Sequence, residues 1–280
     1  MKHLSLFCLF LISLSGYAQT FLTGTIIDAK NGQAIPYVNV GLVGKNTGTV
    51  SNDNGTFDLR VSARDENAEI RVSILGYQSQ SFTVKQLEAK LEENAALRLQ
   101  AQAYNLDEIV VVPKFTKTKR FGNRAVSTNL NDGFAGDKLG REGGIVVKLK
   151  ERYRPAVVTN FSTYIVKNTY DEITFRLNFY TVKNGLPDKP LPRESIIISS
   201  KIEKGVLSVD LEEYGIVVED DFAVTLEWIK DFGEYGSLLF AMRLFTGPTC
   251  VYRYTSQARW DAYTGIISPS PCMNVTVGYK

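Results

Sequence analysis

Polar and apolar residues alternate along most of this chain with the period of two that marks strands with one buried face. Over residues 173–182, Ile173, Phe175, Leu177 and Phe179 fall on one face and Thr174, Arg176, Asn178 and Tyr180 on the other. Phe222, Val224, Leu226 and Trp228 repeat the pattern, and Ile70, Val72 and Ile74 alternate with Arg71, Ser73 and Leu75. Turn chemistry separates the runs. Asn31-Gly32 lies between the alternating stretches 25–28 and 37–43, and Asp53-Asn54-Gly55 leads into Thr56-Phe57-Asp58-Leu59. Asn-Gly is the dipeptide that best tolerates the positive φ angles of a tight turn. One stretch departs from the strand period: Leu87 and Leu91 stand four apart among Glu and Lys over residues 86–96, which predicts a short helix.

From residue 145 onward, strand signals recur about every ten to fifteen residues, a spacing that belongs to antiparallel sandwiches rather than to βαβ units. The runs are 157–166, 173–182, 195–199, 206–210, 216–218, 222–229, 238–245, 251–255 and 274–279. The expected fold class is therefore all-β, with a first β-sandwich over 19–99 and a second antiparallel, jelly-roll-like β-sandwich over 144–280. Residues 100–143 read as a linker holding a strand at 105–112.

Composition adds bounds. A chain of 280 residues with 44% hydrophobic and 22% charged residues can bury two cores, and its net charge of +2 favours neither nucleic acid nor an acidic surface. At the N-terminus, Lys2 and His3 precede an apolar run from Leu4 to Leu14, then Ser15-Gly16-Tyr17-Ala18. Small residues at the two positions a signal peptidase reads predict a signal peptide over 1–18, cleaved between Ala18 and Gln19. The apolar run is short for a bilayer span, and Cys8 has no lipobox before it. The expectation is an exported protein of the periplasm or outer membrane, with no transmembrane segment after cleavage.

That cleavage would also remove His3, the sole histidine. Zinc peptidase sites and Ser-His-Asp or Cys-His catalysis all need an imidazole, so the expected chain is not an enzyme of those kinds. No motif calls for a cofactor or a metal. Cys250 and Cys272 would remain as an even pair in an exported protein, either bridged or as two buried thiols; bridging needs Cα atoms within about 7 Å.

Gly24-Thr25-Ile26, Gly32, the run Ile35-Pro36-Tyr37-Val38-Asn39-Val40, Gly48-Thr49, Asp53, Gly55, Phe57 and Leu75-Gly76-Tyr77 form one motif string. It resembles the carboxypeptidase regulatory-like domain, a small transthyretin-like β-sandwich widespread in cell-envelope proteins of the Bacteroidetes. The resemblance implies a fold and a compartment. It implies no activity, because the module stands in front of TonB-dependent transporters, hydrolases and proteins of other kinds. Leu106, Asp107, Glu108, Ile109, Val110, Val111 and Val112 are similar to the element that follows the module in those transporters. On that likeness they are a partner strand for an outer-membrane protein, joined by β-addition; on composition they read first as an edge or linker strand. The chain beyond them is too short for a transporter barrel.

Three other groups carry candidate chemistry. Residues 114–124, KFTKTKRFGNR, are either a polyanion-binding patch or a solvated basic linker, and export disfavours nucleic acid. Glu212-Glu213, Glu219-Asp220-Asp221 and Glu227 hold the densest acids, from which a carboxylate-dependent glycoside hydrolase would draw its acid and base; oxygen-rich loops also suit calcium, but no EF-hand spacing occurs. Trp228, Trp260, Tyr252, Tyr254 and Tyr263 offer rings on which a glycan could stack. Trp228 continues an apolar strand face and reads as core, which leaves Trp260 and Tyr263 as the expected ligand platform. The leading expectation is a binding protein of the cell envelope, for a glycan or an outer-membrane partner.

Overall fold

The computed structural model describes residues 19–102, 114–124, 126, 129–134, 139–192, 194–233, 236–245, 247–265 and 267–280. The first domain contains β1 (Gln19–Asp28), β2 (Asn39–Leu42), β3 (Gly48–Val50), β4 (Thr56–Ser62), β5 (Glu69–Ser73), β6 (Gln80–Thr83), α1 (Val84–Glu93) and β7 (Ala96–Leu99). These pair as two sheets, in the orders β4-β1-β7 and β3-β2-β5-β6, with β1 and β7 parallel. Alternation puts Leu22, Ile26, Val40, Leu42, Phe57, Leu59, Ile70 and Val72 between the sheets. The helix closes one side with Leu87 and Leu91, its first turn held by a capping box between Thr83 and Gln86. After β1 the Asp28 carboxylate accepts from the Lys30 and Asn31 amides, and Gly32 takes φ 73°, as the Asn-Gly signal predicts.

The second domain contains β8 (Lys117–Gly122), β9 (Asn131–Phe134), β10 (Glu142–Val147), β11 (Ala156–Asn168), β12 (Ile173–Lys183), β13 (Leu186–Pro190), β14 (Ile196–Ser200) and β15 (Gly205–Asp210). It continues through β16 (Val217–Val218), β17 (Phe222–Trp228), β18 (Leu238–Arg243), β19 (Cys250–Arg253), β20 (Asp261–Ala262), β21 (Ser270–Pro271) and β22 (Met273–Tyr279). A front sheet runs β13-β12-β17-β10-β19-β20, with β14 also on β12. A back sheet runs β21-β18-β11-β22-β8, with β15 and β16 on β11 and β9 on β18. Phe161, Phe175, Phe179, Phe222, Leu226, Trp228 and Val275 fill the space between them. The chain is all-β as expected, and Trp228 is core.

The linker reading needs correction. β8 pairs with β22 and β9 with β18, so residues 117–122 and 131–134 belong to the second sandwich. The basic residues hid a strand. Lysines and arginines on a sheet edge discourage pairing with other chains, and β8 is such an edge, holding Phe121 against the core. The predicted partner strand 106–112 and Ala18 lie outside the described residues; Gln19 is exposed at the start of β1.

The two domains meet through the loop after β19. Ser256 is fully buried, and its carbonyl rests on Gly41 and Gly48, where a Cβ would come within 2.3 and 2.5 Å of that oxygen. Its hydroxyl donates to Asn39 Oδ1 at 3.1 Å, and Gln257 Nε2 donates to Ser73 Oγ at 2.8 Å. Lys230 reaches Asp53 at 2.9 Å. These contacts set the β2–β3 hairpin over the outer face of the front sheet.

Candidate functional site

That covered face carries a buried ionic network. Strand pairing places Glu142 opposite both Glu227 and Arg253, and Arg176 opposite Glu227. Arg176 Nη1 donates to Glu227 Oε2 at 2.9 Å, and Arg253 Nη2 lies 2.5 Å from Glu142 Oε2. Asn178 Nδ2 joins the two carboxylates, donating to Glu142 Oε1 at 2.9 Å and Glu227 Oε2 at 3.2 Å. Tyr180 and Thr225 donate their hydroxyls to Glu142 Oε1. Both glutamates are fully buried. Burial alone would pull the Arg253 guanidinium down, but Glu142, Tyr180 and Glu227 reverse this and hold it above its ordinary value. The Tyr180 phenol is pushed well up, first by burial and then by Glu142.

A second concavity opens between the two sheets, on the opposite face of β19. Tyr252 stacks at a tilt on Tyr263 with ring centroids 4.7 Å apart, and meets Tyr254 edge-on at 5.4 Å. The pocket holds about 120 Å³, with Asp132 and Arg141 also in its wall and Gly143 in its floor. A Cβ on Gly143 would find nothing nearer than Val251 O at 3.9 Å, so the missing side chain leaves this space open. Tyr254 and Tyr263 are 47% and 40% exposed and so open to an incoming molecule. Their neighbour Cys250 is buried, and burial followed by Asp132 raises its thiol to about 12.

The structure regroups the expected site residues. Trp260 and Tyr263 do not form one platform, because β20 between them puts them on opposite faces of the front sheet. Trp260 packs over the Arg253 guanidinium at 4.9 Å and against Tyr180 at 5.6 Å, on the network side. Tyr263 joins Tyr252 and Tyr254 on the other. Cys250 and Cys272 are free, which corrects the bridged reading: Cys250 stands on β19 of the front sheet, while Cys272 is bonded through its amide to Ala241 O in the back sheet. Glu212 and Glu213 are exposed. Asp220 and Asp221 clamp Arg154 at 2.8 and 3.6 Å, and Asp221 also accepts from Lys148 and from the Leu149 amide. Among the described residues, no group of three or more His, Cys, Asp or Glu side chains could hold a metal ion.

Of the network, only Glu227 stood among the candidate acids. Glu142 sat in the supposed linker, while Arg176 and Asn178 read as the wet face of a strand. The available signal was β17 itself, where Thr225 and Glu227 interrupt a run that is buried along its whole length.

This geometry places a small two-sheet module on the outer face of a larger sandwich. Residues 22–111 match the family model of the CarboxypepD_reg-like domain, so the first sandwich is a carboxypeptidase regulatory-like module. Over 127 residues the chain is 27% identical to the TonB-dependent receptor P3 of Formosa agariphila. That alignment covers 44% of this chain but 12% of the receptor, so the chain corresponds to a small part of the receptor's length. Among solved structures, a chain from the infectious bursal disease virus Gx strain aligns over 94% of this chain and 60% of its own length, with TM-score 0.23 and 10% identity.

Proposed function

We propose that this chain is an exported, non-catalytic binding protein of the bacterial cell envelope, acting beside an outer-membrane transport assembly and taking a glycan in the pocket of Tyr252, Tyr254 and Tyr263. The regulatory-like module and the receptor relative support the envelope and transport context. The observation that carries the glycan reading is the pair of half-exposed tyrosine rings at the mouth of a glycine-floored pocket, with a carboxylate and a guanidinium beside them. Aromatic faces shield the C–H side of a sugar ring from water. The Asp132 carboxylate and the Arg141 guanidinium are suited to its hydroxyls.

Hydrolysis is the rival, and Glu142 and Glu227 are its specific candidates. A two-carboxylate mechanism needs one carboxyl that donates its proton to the leaving group. Here each carboxylate is ion-paired with a guanidinium, which favours a structural role. The deciding experiment is retention of the full chain on a polysaccharide array. Tyr254→Ala and Tyr263→Ala should each abolish it, and undiminished retention, or cleavage of the bound glycan, defeats the proposal.

A further inference from the structure

A cleft of about 280 Å³ lies along the seam of the two domains, with Asn39, Ser73, Tyr77 and Gln102 on one wall and Arg176, Asn178, Glu227 and Arg253 on the other. The charges on the second wall, together with Glu142, cancel: two guanidinium groups face two carboxylates. Hydrogen bonding is incomplete. Arg176 and Glu227 are 3% and 0% exposed, yet Arg176 Nε, Arg253 Nε and Glu227 Oε1 make no hydrogen bond among the described residues. Glu227 Oε1 has only the Arg253 guanidinium, 3.7 Å away. A buried polar atom without a partner carries the full cost of its lost hydration, so a bound group that satisfies these atoms gains strongly.

The orphans on this wall ask for opposite things. Arg176 Nε and Arg253 Nε are donors and need acceptors, whereas Glu227 Oε1 is an acceptor and needs a donor. A hydroxyl is both. An added ammonium or carboxylate would instead unbalance a neutral cluster and leave one charge buried without a counter-charge. The volume lies just under the roughly 300–1,000 Å³ range of small-molecule pockets, which suits a single sugar ring better than a chain.

We propose that the interdomain cleft is a second ligand site, for a small, uncharged, hydroxyl-rich molecule of the monosaccharide class that bridges Arg176 and Glu227 and ties the domains together. This site does not rest on the tyrosine pocket. It is tested on the full chain with D-glucose, D-galactose, D-mannose and L-fucose, and with D-glucuronate and D-glucosamine as charged controls, by calorimetric titration and thermal unfolding. At least one neutral sugar should bind and raise the melting temperature, in the wild type and in Tyr254→Ala alike. Arg176→Lys, which deletes the Nε donor, should weaken binding about tenfold or more. Should that variant fold poorly, Gln102→Trp fills the cleft from the other domain and should abolish binding with the ionic network intact. Absence of binding by all four neutral sugars overturns the proposal. So does loss of binding in Tyr254→Ala, equal binding of glucuronate, or binding that survives Gln102→Trp.

Discussion

Arg176 leaves its own sandwich to donate a hydrogen bond to the carbonyl of Tyr37, a residue held at φ 60° in the first domain. A non-glycine residue in that region costs about 1–2 kcal/mol, so the surroundings must over-determine it. They do so from both domains. The Tyr37 hydroxyl donates to Asp53, Asp53 is paired with Lys230 of the second sandwich, and Arg176 takes the carbonyl. The turn at Pro36-Tyr37 is therefore part of the domain junction.

Arg176→Ala should destabilise the chain by about 3–5 kcal/mol, because it removes one partner from a buried ion pair and leaves the Glu227 carboxylate buried with only Asn178 and the more distant Arg253 guanidinium beside it. Replacing both partners, as Arg176→Met with Glu227→Leu, should recover most of that loss. Urea unfolding of the two variants makes the comparison. A loss below about 1 kcal/mol for the single variant would class the pair with weak surface bridges.

Gly41→Ala should loosen the junction without unfolding either sandwich. The new Cβ would stand 2.3 Å from the Ser256 carbonyl, a backbone atom of the other domain that cannot turn aside. Separation of one calorimetric transition into two, with faster proteolysis in the 255–259 loop, is the expected result. A single unshifted transition would mean that the loop moves freely.

Acid should weaken the same junction. The Tyr37 hydroxyl first, then Lys230, lower the pKa of Asp53 below its ordinary 3.8. A carboxyl depressed in the folded state contributes stability that is complete above its unfolded value and is lost as pH falls through the folded one. The loss therefore falls below about pH 4. Asp28, Glu69 and Asp221 are depressed too, so the test is a difference: the drop in melting temperature from pH 6 to pH 3 should be smaller in Asp53→Asn than in the wild type. Equal drops would remove Asp53 from the account.

Strand identity was legible because alternation reports which face of a strand is apolar. Ile173, Phe175, Leu177 and Phe179 do face the core, and Asn31-Gly32 does turn. Alternation is silent on what covers the other face. Thr174, Arg176 and Asn178 look like a solvated row, yet they are 2%, 3% and 6% exposed because the first domain sits above them. The network also joins residues from β10, β12, β17 and β19, spread along the chain from Glu142 to Arg253, so no local spacing could announce it. The tyrosine pocket was half legible. Tyr252 and Tyr254 share a face by parity, but Tyr263 reaches them through a strand pairing between Tyr252 and Asp261 that the sequence does not encode locally.

Cys250 and Cys272 should both count as free thiols in the folded protein, by mass after alkylation under denaturing conditions without reductant. In the native state Cys250 should react slowly with iodoacetamide at pH 8. Burial and Asp132 raise its thiol to about 12, so little of the reactive thiolate forms. Detection of a bridged species would refute the assignment of Cys250 and Cys272 as two free, buried thiols.

Gly143→Leu separates the pocket's role from the fold's. Its neighbour Gly144 tolerates no side chain, since a Cβ there would meet Val224 O at 2.0 Å and break the pairing of β10 with β17. At Gly143 the same addition enters open space beneath Tyr252, and a leucine would occupy much of the 120 Å³ available. The added apolar surface is buried without displacing a neighbour, so melting temperature should hold within a few degrees of the wild type or rise. Glycan retention should fall with it, because the floor on which the sugar ring would rest is filled. A Gly143→Leu protein that folds normally and binds as before would show that the tyrosine pocket is a packing gap, and ligand recognition would then have to lie elsewhere on the chain.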